Sequence, residues 1–558
     1  MKNVKLFLVI VGVIGVGILG AYTKSIWPTQ SDGDIVGMPT ETIGKDQSIG
    51  GVATTNEAAS AEPSAASDKT TSTTPSPSKT LAFEDVAPKQ AEVKRSTTIE
   101  YEYRALRTSN DPLPQPVWSM SATRTQTAWD SSTGNGAIVA VIDSGFALAH
   151  EDLANQWHQN TNETGLTALG GRCWTGTPAN KSTNNCDDDN NGYSDDWRGW
   201  DFVSVNNLPQ AGEANPSGAG VAHGTEVAGL VGATGNNGVG TATLSWNNKI
   251  MPLQALSDDG SGFTSGIAAA VYYAVDNGAA VINMSLGGSS NDPTLAQAVR
   301  YAYDRNVVVV AAAGNCGTGM EQGCDPAKAG AMGYPALNPH VIAVGATTSS
   351  NNRAGFSSYG PGIDVSAPGS GTLISPLWSS SNQTSAYATS LYGTSFASPI
   401  VASYAGLIKS LRPSSSSDDI TALINATAWK PSAMSGAPYS TTLGHGIIDA
   451  EAGLRVASSL NASTATPALL QTGGARSEHT FETNTSLSSG CEVIAGTYCT
   501  IWATNNSGYD RYLPYTQTNG SGQAGWSWAS SWLGDGDWSL KARSGNTPST
   551  TPYQLVNR

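Results

Sequence analysis

Two unbroken apolar runs, AIVAVI at residues 137–142 and VVVV at residues 307–310, constrain this chain more than any other feature. A strand with one wet face alternates polar and apolar residues. A continuous β-branched run instead suits a strand covered on both faces, as in a parallel sheet with helices above and below. Asp143 closes the first run, and Asn315 follows the second after AAAG (residues 311–314). The carboxyl ends of such strands are where open α/β sheets hold their chemistry. Two helix-periodic, small-residue segments also begin at polar residues. His223 leads into Val227, Ala228, Leu230 and Val231, and Ser395 leads into Phe396, Ala397, Val401, Ala405, Leu407 and Ile408.

Taken singly, each of these polar residues has an ordinary explanation: Asp143 and Asn315 suit turns, His223 and Ser395 suit helix starts. Together they supply an acid, a base and a nucleophile in the order Asp, His, Ser, inside VAVIDSG (139–145), AHGTEVAG (222–229) and GTSFASP (393–399). A serine becomes a nucleophile when a histidine takes its proton and an acid holds the imidazole. These blocks and their order resemble the subtilisin-like serine peptidases, or subtilases. The resemblance implies an α/β fold, a doubly wound and mostly parallel sheet, that hydrolyses peptide bonds. It implies Ser395 as nucleophile, His223 as proton carrier, Asp143 as the acid that orients it, and Asn315 as side-chain donor to the oxyanion.

The resemblance extends from about residue 110 to about residue 458. It makes GSG (Gly260, Ser261, Gly262), SLGG (Ser285, Leu286, Gly287 and the next glycine) and AAAG (with Ala312 and Gly314) the edges on which an extended peptide pairs its backbone. Gly333 falls at the floor of the pocket for the residue before the scissile bond. A glycine there leaves room, so large apolar or aromatic residues are expected, unless Glu321 or Asp325 reaches the pocket. Two positions depart from the common pattern: Glu226 stands where many relatives have histidine, and Phe396 where they often have methionine. Neither removes a group the chemistry needs. A serine esterase would need a G-x-S-x-G elbow, which is lacking at Ser395. A scaffold that merely displays a binding module would need none of the four residues.

The acidic balance, a formal net charge of −15, argues against a nucleic-acid partner, which requires clustered Lys and Arg. Residues 6–22 carry no charge and are flanked by Lys2, Lys5 and Lys24. Their length and the poor small-x-small cleavage site favour a membrane anchor over a cleaved signal peptide within residues 1–25. Either outcome puts the remainder outside the cytoplasm, anchored or secreted. The six cysteines fall into close pairs, Cys173 with Cys186, Cys316 with Cys324, and Cys491 with Cys499. Local disulfides are expected, and no histidines accompany them at zinc spacing.

Residues 26–106 include an Ala, Ser, Thr and Pro-rich stretch that reads as a stalk. The catalytic domain is placed at 107–460. Residues 461–558 alternate short apolar runs with Gly, Asn and Ser turns, which suggests a small all-β module. Among its tryptophans, Trp526 and Trp528 alternate on one strand face and could form a platform for a surface polymer or protein. The loop DDDNNGYSDD (187–196) offers oxygens at alternate positions around a glycine, a spacing suited to Ca²⁺. Asp187, Asp189, Asn191 and one of Asp195 and Asp196 are the expected ligands. Asp152, with Asn236 or Asn237, resembles the family's other calcium site. The chain is expected to act on polypeptides as a monomer.

Overall fold

The two apolar runs become central strands of one sheet. A computed structural model describes residues 107–321 and 324–460, and within 461–557 the strands alone. Its main sheet comprises β1 (Ile138–Asp143), β2 (Trp200–Asp201), β3 (Lys249–Gln254), β4 (Val281–Met284), β5 (Val308–Ala312), β6 (Val341–Thr347) and β7 (Val365–Pro368). The order is β2-β3-β1-β4-β5-β6-β7, with every pairing parallel. After β3 the chain crosses β1 to begin β4 on its other side, so the sheet is doubly wound and its crevice opens beside β1.

Helices cover both faces, which is why the strands lack alternation. Val139 and Val141 of β1 pack with Val308, Val310 and Val344 on one face. Ala140 and Ile142 pack with Ile282, Val309 and Ala343 on the other. Two short helices, α1 (Val117–Thr123) and α2 (Thr125–Ala128), precede the sheet. Residues of α3 (His223–Gly232), α6 (Thr394–Leu411), α7 (Ser417–Thr427) and α8 (Ala450–Leu460) join the first face, while those of α4 (Thr264–Asp276) and α5 (Pro293–Asp304) join the second. The middle of α6 is apolar all round and buried along most of its length, as expected of a helix inside the core.

The described elements of the C-terminal region are β-strands. Ala468–Gln471, Ser486–Glu492 and Gln523–Ala529 form one antiparallel sheet. Glu478–Phe481, Tyr553–Asn557, Gly536–Ser544, Tyr498–Asn505 and Asp510–Tyr512 form a second, antiparallel except where Glu478–Phe481 pairs with Tyr553–Asn557. Disulfides join Cys173 to Cys186 and Cys316 to Cys324, and Cys499 is also disulfide-bonded. The anchor, the stalk and the side chains of Trp526 and Trp528 lie outside the described residues. Among the described residues no helix is long and apolar enough to cross a membrane.

Candidate active site

Asp143 is the last residue of β1, and His223 is the first of α3. Their elements meet because residue 224 is glycine: a Cβ there would stand 2.3 Å from the Gly145 carbonyl oxygen and 3.2 Å from Asp143 Cβ. His223 Nδ1 lies 2.7 Å from Asp143 Oδ1, which also accepts the Ser144 N–H at 2.8 Å. The carboxylate can only accept, so Nδ1 carries the proton and Nε2 keeps its lone pair. Asp143 is fully buried, while the imidazole remains partly open to solvent. Burial opposes a charge on His223, but the Asp143 carboxylate and its hydrogen bond, with Glu226, outweigh it and raise the imidazole above its ordinary pKa.

Ser395 is the second residue of α6, and its Oγ donates to the Ser285 carbonyl at 3.2 Å. Pro399 has no N–H for the carbonyl of residue 395, four positions back. That carbonyl instead accepts from Ser285 Oγ at 2.7 Å. A buried relay continues it: Asn283 Nδ2 donates to Ser285 Oγ at 3.0 Å, and Ser398 Oγ donates to Asn283 Oδ1 at 2.7 Å. The end of β4 is thereby fastened to the first turn of α6. Phe396 sets its ring centroid 5.6 Å from that of His223, tilted by 50°.

Asn315 follows Gly314, whose φ of +110° turns the chain away from β5. Asn315 Oδ1 accepts the Thr394 N–H at 2.9 Å and the Thr394 hydroxyl at 3.0 Å. A backbone N–H can only donate, so the amide orientation is set: Oδ1 is held by the first residue of α6, and Nδ2, 3.5 Å from where a Cβ on Gly393 would stand, is the donor face. The first-turn N–H groups of that helix and the Asn315 amide are donors suited to a developing anion.

Beside these groups runs a groove of about 690 Å³. Gly260, Ser261 and Gly262 line it with Ser285, Leu286 and Gly287, while His223, Thr264, Ile267 and Tyr334 contribute further lining. Gly288 exchanges 2.8 Å backbone hydrogen bonds with Tyr334 in both directions, placing Gly333 against the SLGG edge. Ala312 is buried within β5, and Gly314 N–H donates to Thr394 Oγ1 at 3.2 Å. Glu321 is engaged with Thr318, and Asp325 caps the turn at Ala327. Glu226, one turn beyond His223, is pushed up to about 7 by burial, against the pull of His223 and with the push of Asp143.

The acidic loop gathers some of its expected ligands and not others. Carboxylate oxygens of Asp187, Asp189 and Glu163 lie within 4.8 Å of one another. Asn191 Nδ2 bonds Asp196 Oδ2 at 2.9 Å, and Asn160 Nδ2 bridges Asp189 Oδ2 at 2.9 Å and Asp196 Oδ1 at 3.1 Å. Asp195 spends its two oxygens on the N–H groups of Asn184 and Asn185 at 3.0 and 2.9 Å. An all-oxygen set of this kind fits a hard cation such as Ca²⁺. Asp152 is fully buried, accepting from Asn237 Nδ2 at 3.1 Å and Thr241 N–H at 2.9 Å. Asn236 turns instead to Asn110.

Sequence reasoning missed Asn283, Ser398, Thr394 and Glu163. The first three sit in or beside the quoted blocks but act by hydrogen bonding to neighbours, which spacing does not reveal. Glu163 belongs to no acidic motif.

The family description matching residues 134–459 is the subtilase family. Thermitase of Thermoactinomyces vulgaris is 36% identical over 303 residues, covering 54% of this chain and 85% of thermitase. An extracellular protease of Xanthomonas campestris pv. campestris is 33% identical over 380 residues, covering 65% of this chain and 59% of that protein. Subtilisin Savinase of Lederbergia lenta is 41% identical over 234 residues, covering 42% of this chain and 77% of Savinase. Fold and relatives define a serine endopeptidase. The chain belongs to the subtilase family.

Proposed function

We propose that this chain is an exported endopeptidase in which Ser395 attacks the scissile carbonyl. His223 Nε2 takes the hydroxyl proton and returns it to the leaving amine, and Asp143 holds the imidazole in the required tautomer. The tetrahedral oxyanion is met by Asn315 Nδ2 and backbone N–H groups at the start of α6. The observation that carries this reading is the 2.7 Å contact of His223 Nδ1 with Asp143 Oδ1, beside a serine in the first turn of a buried helix.

The glycine-rich groove, whose lining carboxylate Asp292 is engaged in capping α5, and Gly333 support a preference for large apolar or aromatic residues before the scissile bond. Disulfides support export, with residues 1–25 as anchor or signal peptide, 107–460 as catalytic domain and 461–558 as a module that binds a surface polymer or protein. Asp187 and Asp189, with Asn191 and Asp196 beside them, would hold Ca²⁺, which supplies charge compensation and rigidity rather than chemistry. Asp152 and Asn237 form the core of a second calcium site by resemblance.

A fluorophosphonate probe tests the mechanism. Labelling of the wild type and none of Ser395→Ala is expected, with peptide hydrolysis lost by many orders of magnitude in the variant. Labelling that survives the substitution would remove Ser395 from the role.

A further inference from the structure

The described residues include one carboxylate that the acidic loop does not explain. Glu163 ends the short turn Thr161–Glu163 and is fully buried. Its Oε1 accepts the N–H groups of Asp188 and Asp189 at 2.6 and 3.0 Å, which draws the loop around it. Its Oε2 is buried with no hydrogen-bond partner. An orphaned carboxylate oxygen in the interior is a costly arrangement, and native structures rarely leave one without a reason.

Its surroundings point the same way. The Glu163 carboxylate lies within 4.8 Å of oxygens from both Asp187 and Asp189. Three like charges at that spacing repel unless a cation or protons intervene. Arg172 answers only in part: its Nη2 stands 3.8 Å from Asp187 Oδ2 on a half-exposed side chain. Lys181 Nζ is committed to the Asn162 carbonyl at 2.8 Å. Asn160, which caps the turn carrying Glu163, also ties Asp189 to Asp196. The turn and the loop therefore form one cradle, although the disulfide-bonded segment from Cys173 to Cys186 separates them in the chain.

We infer that Glu163 is a ligand of the loop's divalent cation, together with Asp187 and Asp189. This rests on the reading of the acidic loop as a calcium site. Oxygen donors from a flexible loop and a separate buried carboxylate suit Ca²⁺, which tolerates irregular coordination, better than Mg²⁺, which demands near-octahedral geometry. The cation would join two segments otherwise linked by hydrogen bonds. It would also steady Asp196, which accepts the Tyr273 hydroxyl of α4 at 2.6 Å, and α4 begins at the groove-lining Thr264.

The test uses the full chain carrying Ser395→Ala, to prevent autolysis, with Ca²⁺ titrated calorimetrically and melting followed in Ca²⁺ and in chelator. Glu163→Gln should weaken Ca²⁺ binding at least tenfold, yet melt in chelator no lower than its parent, because it removes repulsion while keeping the Oε1 acceptor. Glu163→Asp, which keeps the charge and shortens the reach, should also bind more weakly and covers the case in which Gln fails to fold. Asp189→Asn should lose the calcium response. If Asp189→Asn loses it while Glu163→Gln and Glu163→Asp bind as their parent does, Glu163 is no ligand and the loop site stands without it. A lower melting temperature for Glu163→Gln in chelator, with unchanged affinity, would reduce Glu163 to a structural acceptor. A parent protein that does not bind Ca²⁺ overturns both readings.

Discussion

The backbone N–H of Tyr512 donates to His445 Nε2 at 3.0 Å, joining the C-terminal strand Asp510–Tyr512 to the loop before α8. Since an N–H can only donate, Nε2 is unprotonated, and Nδ1 faces the Asp364 carbonyl at 3.1 Å. The contact has company. Arg511 lays its guanidinium 3.6 Å from the Tyr439 ring centroid and donates to the Pro361 carbonyl at 3.0 Å. Lys430 Nζ donates to the His445 carbonyl.

His445 should therefore make stability acid-sensitive. Burial first, then the Lys430 and Arg511 charges, hold its pKa well below 6.5. The unfolded chain takes a proton near pH 6.5 and the folded chain resists it, so stability is present above that pH and lost as pH falls below it. Urea unfolding at pH 8 and pH 5 should show a smaller loss for His445→Leu than for wild type. The variant should be weaker at pH 8 by about 1–3 kcal/mol, since the Tyr512 N–H loses its acceptor. Equal losses would exclude His445 as the titrating group.

The same contact qualifies the boundary at residue 461. Tyr512 is buried against Ala422 and Ala426 of α7. Removing residues 461–558 uncovers that face, and none of the described residues of this segment lines the groove or bonds Ser395 or His223. Hydrolysis of short peptides should stay within a few-fold of wild type, while stability drops. Tyr512→Ala alone should lose about 3 kcal/mol, the range for deleting a buried aromatic. An inactive but folded truncation would show that the module reaches the active site.

Glu226 should shift the pH profile. In the proposed mechanism His223 must be neutral to act as base, so kcat/KM should fall on the acid side as the imidazole gains its proton. An anionic Glu226 favours the imidazolium and so raises that limb. Glu226→Gln removes the charge at constant shape, and the acid limb should move to lower pH with little change in the plateau. A limb that stays in place, or moves upward, would mean that Glu226 is already neutral across the limb or that its charge does not reach the imidazole.

Legibility in the sequence tracked how local the physics was. The runs at 137–142 and 307–310 announced strands buried on both faces, and such runs depend only on their own composition. The Asp143–His223 pairing was legible through motif order, because Gly224 lies within the quoted block and permits the approach. What stayed hidden depends on partners distant in the chain. Pro399 frees a carbonyl that Ser285 then takes. Glu163 meets Asp188 and Asp189 only after folding. Tyr512 finds His445 across a boundary that composition alone suggested was a clean break.

Asn315 and the neighbouring disulfide separate donor chemistry from loop rigidity. Asn315→Ala should lower kcat by about 10²–10³, the magnitude known for the equivalent donor in subtilisin rather than one derived from this chain. The Cys316–Cys324 bridge closes a loop directly after that donor, and its removal should lower stability by at most about 3 kcal/mol. Activity should suffer much less. Cys316 N–H donates to Ser358 Oγ at 3.1 Å, Gly317 N–H to the Phe356 carbonyl at 2.7 Å, and Gly330 N–H to the Cys316 carbonyl at 2.7 Å. With Oδ1 of Asn315 also held by Thr394, the proposed donor should stay aimed without the sulfur link. The paired variant Cys316→Ser and Cys324→Ser should thus melt lower while keeping kcat within a few-fold of wild type. A fall in kcat as large as that of Asn315→Ala, in protein that remains folded, would show that the disulfide rather than the hydrogen bonds positions the amide.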